Sequence, residues 1–361
     1  MLSQKTALQI AAAAAFVVVT SIQPLHAQET IKIAAISGYP PPATWVGAFT
    51  KAFVTSVDAD LAKGGKYKIS WNLAHSGQIA KPRGEFEAVE SGLGEIGLIP
   101  APFHADKIPL YNIPYVTPFT NDGDPGAVTE AYEMLQAKFP AFAADMKKFN
   151  QVQIGVTDNV DNYILLSSTP LRTLADLKGK KVGAAGPNLS WVVPTGAAGV
   201  STNLADAYNS LSTGIYDAMI VWRQAMGAFK LCEPAPHMLD AGLGAASVIP
   251  LTVNSDFWAG LPGEVKTAMT TASKKWSDAQ IKLVLDGAAI GLNRCKTDFK
   301  TVATDMAPEE RAKWAKGMAP LALDWAKLQN ANGYPATAIL TAYMDFMRAD
   351  NQPVTRNWDK E

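Results

Sequence analysis

LADLKGKKVGAAG, from Leu174 to Gly186, and YNSLSTGIYDAMIV, from Tyr208 to Val221, read together as turn, strand, loop, helix, turn and strand. Thr173, with Asp176 three residues on, has the spacing of a capping box for a short helical turn, and Gly179 closes that turn before the apolar run at Val182. Gly214 ends the later helix, and a buried strand is expected from Ala218. An earlier stretch, AVESGLGEIGLI from Ala88 to Ile99, has the same layout: a helix ended by Gly92, an acidic residue three positions later, then an apolar strand. One chain therefore uses the same plan twice, and two lobes are expected.

Outward from these segments, apolar runs at Ile31–Ile36, Tyr67–Leu73 and Ile96–Pro100 alternate with helical patterns through Trp45, Phe49 and Phe53 and over Glu85–Ser91. Strands alternating with helices predict the α/β class with parallel sheets covered on both faces. The longest helical pattern runs from Pro262 to Arg294, with Val265, Met269, Ala272, Trp276, Ile281, Leu285 and Ile290 at spacings of three and four. The tail from Ala307 to Ala349 is helical as well, and its aromatic residues are expected to pack it onto the lobes.

Residues 1–27 have the form of a secretory signal: Lys5, an apolar core from Ala7 to Ile22, and Leu25-His26-Ala27 as a cleavage site, with the cut after Ala27. The apolar run is shorter than the about 20 residues that span a bilayer, so export to the periplasm is expected. The rest of the 361-residue chain exceeds one domain of about 100–200 residues. A hydrophobic content of 48% suffices for two cores, and a net charge of -1 gives no basic face for nucleic acid. Cys232 and Cys295 lie in a compartment that permits a disulfide, with two buried thiols as the other reading. They have no His at metal-ligand spacing.

Catalytic signatures are missing. Beyond the signal the histidines are His75, His104 and His237, in no HExxH or HxH arrangement, and neither a GxSxG elbow nor a GxxxxGK phosphate loop occurs. No enzyme, cofactor or metal function is expected.

At LKGKKVG (Leu177–Gly183), SGQIAKPRGEFEAVESGLGEIGLI (Ser76–Ile99), IPYVTPF (Ile113–Phe119) and VNSDFWAGLPGEVKTAM (Val253–Met269), the chain resembles the periplasmic solute-binding proteins of tripartite ATP-independent (TRAP) transporters, the C4-dicarboxylate-binding family. The resemblance covers almost the whole chain after the signal. It implies a two-lobe periplasmic binding protein, type II-like, with a long helix bridging the lobes and a helical C-terminal tail. The first lobe would hold 28–155 with part of 244–285, the second 156–243 with part of 286–361, and the bridging helix 263–295. The implied function is capture of a small organic solute, foremost an organic acid with an aromatic or bulky apolar body, and delivery to a TRAP membrane permease by a monomer. A sensing module for a signalling receptor, or a binder of a neutral aromatic solute, are the alternatives.

The family tends to carry a Leu-Lys-Gly-x-Lys-Ile-Arg strand whose Arg holds the ligand carboxylate in two-pronged fashion; here that place is Gly183. The charge of an acid must then be met by Arg223, after the strand Ala218–Val221, with a solvated surface cation as its other reading, or by Arg83, whose polar loop after Pro82 favours the surface reading. Trp191 and Trp222, beside Asn188 and Asn254, are expected to form a flat wall with amide groups, the other reading being two indoles in the lobe cores. Tyr39, Gln78 and Tyr163 complete the candidate site, on loops where open α/β sheets place their ligands.

Overall fold

The computed structural model describes residues 28–361; the signal and its cleavage point lie outside the described residues. The strands are β1 (Glu29–Ile36), β2 (Tyr67–Ala74), β3 (Ile96–Leu98), β4 (Gln151–Asp158), β5 (Tyr163–Ser167), β6 (Lys181–Ala184), β7 (Ala198–Ser201), β8 (Ala218–Trp222), β9 (His237–Asp240), β10 (Val248–Asn254) and β11 (Val302–Asp305). They form a five-stranded sheet in the order β2-β1-β3-β10-β4 and a six-stranded sheet in the order β11-β9-β5-β8-β6-β7. These are the cores of two lobes, and the fold is the α/β two-lobe arrangement expected.

The sheets are mixed where parallel sheets were predicted. β1 runs parallel to β2 and β3, and β6 parallel to β7 and β8, but β10 is antiparallel to both its neighbours and so is β5. The reason lies in the path of the chain. β5 is the strand by which the chain enters the second lobe, and β10 the strand by which it returns to the first. Each begins where the lobes meet, whereas the parallel strands end there.

The local signals hold in detail. Thr173 and Asp176 form both halves of the capping box, with the Thr173 N–H donating to Asp176 Oδ2 at 2.9 Å. Gly92 and Gly214 stand at φ +74° and +69°, a left-handed conformation that glycine adopts without a Cβ penalty. Each stops a helix and turns the chain into the next strand.

The helix Gly263–Asp298 bridges the lobes. Its first half lies on the first lobe, where Trp276 Nε1 donates to the Trp45 carbonyl at 2.9 Å and Ser273 Oγ to the Ile154 carbonyl at 2.6 Å. Its second half lies on Arg223–Ala228 of the second lobe, where Gly291 and Gly227 touch backbone to backbone with no room for a Cβ. Cys295 is joined to Cys232 by a disulfide with a Cα–Cα distance of 5.8 Å. Of the tail, Pro308–Gly317 packs on the second lobe, with Trp314 Nε1 donating to the Trp191 carbonyl at 2.9 Å. Ala336–Ala349 packs on the first lobe along Pro125–Lys138, and beyond it Trp358 Nε1 donates to the Pro118 carbonyl at 2.8 Å.

Candidate functional site

The strand ends of both sheets converge on a cavity between the lobes. The first lobe contributes Tyr39 after β1, Trp45, Pro100, Pro102 and Phe103 after β3, Tyr115, and Ile249 of β10. The second contributes Tyr163, Ala185, Leu204, Met219, Ile220 and Trp222, and the two crossing segments, 159–162 and 241–247, add Asn159 and Ser247. Ligands of open α/β sheets sit at such strand ends.

The walls are shut. Tyr39, Trp45, Tyr115 and Tyr163 are at most 3% exposed and Trp222 8%, and the cavity volume is about 40 Å³. That is room for about three water molecules, so the lobes must part to admit an organic solute and then shut around it less tightly than here. One tie crosses them at the rim: Arg83 Nη2 of the first lobe donates to the Thr202 carbonyl of the second at 3.1 Å. The same guanidinium lies 4.6 Å over the Phe103 ring.

The aromatic residues brace one another. Tyr39 meets Trp45 edge-on at 5.3 Å and Tyr163 meets Trp222 edge-on at 6.1 Å. Tyr163 and Trp222 are register partners of β5 and β8, which places both rings at the cleft. The Tyr115 and Tyr163 hydroxyls share a hydrogen bond of 2.9 Å. Burial pushes all three phenols, Tyr39, Tyr115 and Tyr163, upward, so each keeps its proton at neutral pH. Among the described residues, Trp45 Nε1 and Asn159 Oδ1 have no hydrogen-bond partner. Among the described residues, no Lys, Arg, His, Asp or Glu lines the cavity.

Residues 37–328 match the family model described as bacterial extracellular solute-binding protein, family 7. The chain belongs to this family. It is 24% identical over 281 residues to the C4-dicarboxylate-binding periplasmic protein DctP of Rhodobacter capsulatus, covering 73% of this chain and 79% of that protein. A TRAP periplasmic solute-binding protein from Bordetella bronchiseptica, solved with bound (R)-mandelate and (S)-mandelate, superposes with a TM-score of 0.75 at 18% identity over 88% of this chain and 99% of its own. One from Desulfovibrio salexigens superposes with a TM-score of 0.73 at 18% identity over 90% of this chain and 97% of its own.

In this family 7 protein the residues expected at the site divide. Tyr39, Tyr163 and Trp222 line the cavity. Trp191 does not: it is fully buried behind Tyr115, stacked on that ring at 5.8 Å, with Nε1 on the Tyr115 carbonyl at 2.8 Å. It is a core residue because the helical turn Leu189–Val192 turns it inward under the tail. Asn188 is fully buried and is not among the residues of the cavity wall.

Arg223 is spent on the hinge. Its Nε donates to Asp161 Oδ2 at 2.7 Å, and Asp161 also accepts from the Gln224 N–H at 3.0 Å. Asp161 is buried on the crossing segment, and burial pushes its carboxyl up against the pull of Arg223. A carboxylate in that place needs a cation, so Arg223 points there and not to the cavity. Asn254 caps Ser255–Gly260, accepting from Asp256 and Phe257 N–H at 3.1 Å each and donating to the Val89 carbonyl at 2.9 Å. Gln78 is exposed on its loop and is not on the cavity wall. Arg83 is at the rim, as the Thr202 contact shows.

Tyr115, Asn159, Ser247 and Phe103 were not anticipated. Tyr115 is the central aromatic of IPYVTPF, and Asn159 and Ser247 sit in the segments where the chain changes lobes, so their positions held a signal. Phe103, Leu204 and Met219 carry none.

Proposed function

We propose that this protein captures a small organic solute with a flat apolar body between its lobes and hands it to a TRAP-type membrane permease, acting as a periplasmic monomer without catalysis. The observation that carries the reading is the cavity built from both sheets, with Tyr39 and Trp45 on one side and Tyr163 and Trp222 on the other. Contacts made by both lobes exist only when they are shut, so solute shifts the population toward the shut form, and that form is what a permease distinguishes. Signal cleavage after Ala27 places the protein in the periplasm on this reading. Relatives of the same fold were solved with mandelate, β-D-galacturonate and pyroglutamate, all small organic acids, the class the family resemblance puts foremost, and this solute is drawn from that size range.

The test is a thermal-shift screen of the chain from Gln28 onward, unfolded and refolded to remove carried-over solute. The panel holds aliphatic acids, aromatic acids, uncharged aromatics and polyols. A solute at a hundred times its Kd adds about 2.7 kcal/mol, a rise of several degrees for a protein of this size. A hit must also change indole emission, and Trp222→Phe must reduce that change. A refolded protein that responds to no class refutes capture; solute recovered chemically altered refutes the absence of catalysis.

A further inference from the structure

The polar groups of the cavity are all neutral, and the cations around it are engaged elsewhere. We infer that the solute is uncharged at its polar end, an amide or similar group that both donates and accepts a hydrogen bond, and not a carboxylate; this rests on the capture reading above.

The first observation is the set of unpartnered atoms. Trp45 and Asn159 are each 2% exposed and line the cavity, and Trp45 Nε1 and Asn159 Oδ1 lack any partner among the described residues. Other buried polar atoms of the molecule are also without partners, but among the residues that line the cavity these are the two, and a group bound there can meet them. The indole offers only a donor, and a carboxamide offers donor and acceptor side by side. A solute group that accepts from Trp45 and exchanges both kinds of bond with Asn159 satisfies all of them. A carboxylate only accepts, so it leaves the Asn159 acceptor unmet.

The second observation is the fate of the positive charges. No side chain fits at Gly183, where the Tyr216 ring occupies the space. Arg223 is held by Asp161. Arg83 is held by the Thr202 carbonyl and lies over the outer face of the cleft residue Phe103. The residue before the lining residue Asn159 is Asp158, fully buried, whose carboxyl is pushed well up by burial and one of whose oxygens is without a partner among the described residues. An anion placed here meets no cation in the cavity wall, the nearest guanidinium being that of Arg83 at the rim behind Phe103, and such a burial without a direct partner costs several kcal/mol.

The experiment is calorimetric titration of the refolded protein at pH 7.5 with matched pairs that differ only in the polar end: lactamide and lactate, benzamide and benzoate, mandelamide and mandelate. The amide member is expected to bind at least tenfold more tightly wherever a pair binds. A carboxylate that binds as tightly as its amide, or more so, overturns the inference while leaving solute capture intact. No binding by any pair or by the wider panel overturns capture, and this inference with it. Asn159→Leu is expected to weaken the amide at least tenfold and to leave the melting temperature of the solute-free protein unchanged or higher, since the Oδ1 removed has no partner. Trp45→Phe, which deletes the unpartnered donor, serves where the first variant does not fold. A folded variant with undiminished amide affinity overturns the assignment.

Discussion

The ring of Tyr216 covers Gly183 so closely that a Cβ at that position would stand 2.8 Å from Cζ of the ring. Tyr216 is 1% exposed and its hydroxyl lies 3.4 Å from Thr202 Oγ1, so the ring has little freedom to withdraw. Gly183→Ala should therefore cost about 1–3 kcal/mol in urea unfolding. In a Tyr216→Ala background most of that penalty should disappear, because the two positions share one space. Equal penalties in both backgrounds would show that the ring is not the obstacle.

Arg83 ties the lobes at the rim of the cleft through the Thr202 carbonyl, in addition to the buried contacts of Tyr115 with Tyr163 and Trp191. The Arg83 hydrogen bond, from a charged donor in a partly solvated setting, is worth about 1 kcal/mol. Arg83→Ala should raise the solute Kd about fivefold, chiefly through faster dissociation in stopped flow, with the melting temperature of the solute-free protein little changed. An unchanged dissociation rate would mean that the tie does not contribute to the shut form.

Glu85 sits fully buried under the Gly38–Tyr39 loop, accepting from the Gly38 N–H at 2.9 Å. Burial raises its carboxyl from 4.5 to about 7, the Gly38 N–H pulling the other way. Between those two values the folded protein binds more protons than the unfolded chain, so this group's contribution falls as pH rises from 4.5 to about 7. The loss is about 3 kcal/mol. Glu85→Gln has no such slope, so its stability relative to the parent should improve between pH 4.5 and pH 8. Parallel pH profiles for the two proteins would rule the assignment out.

The Cys232–Cys295 disulfide closes a loop of 63 residues. Cross-linking a loop of that size restricts the unfolded chain by about 4 kcal/mol in the chain-entropy model. Replacing both cysteines by serine should lower stability by up to that amount while leaving solute affinity within about twofold, because neither residue lines the cavity. A large loss of affinity at unchanged stability would assign the bridge a role in positioning the lobes.

Much of the architecture was legible from short-range signals. The capping box at Thr173, the turn glycines and the period of the long helix each depend on residues within a few positions of one another. The reversed direction of β5 and β10 was not legible, because it follows from where the chain crosses between lobes and not from any local pattern. The site was read in part for the same reason. Tyr163 and Trp222 are brought together by register, whereas Arg223 is drawn off by Asp161, far away in sequence. Trp191 and Trp222 look alike as aromatic residues near a strand end, and only the tail packing over Trp191 separates them. For Asn254 the simpler reading was available: Asn before Ser-Asp-Phe is a helix N-cap, and it is used as one.

The long helix sets a mechanical condition on the whole molecule. It is fixed to the first sheet through Trp276 and Ser273 and to the second lobe through Gly291 and Cys295. A 36-residue helix is a rod of about 54 Å, and the lobes cannot swing apart without flexing it between these anchor points or sliding one anchor along its seat. The Cys232–Cys295 bridge and the close backbone contact of Gly227 and Gly291 clamp the last turns of the helix to the second lobe, so the shaft has no bearing at that end, and the stretch between Trp276 and Gly287 is the part left to bend.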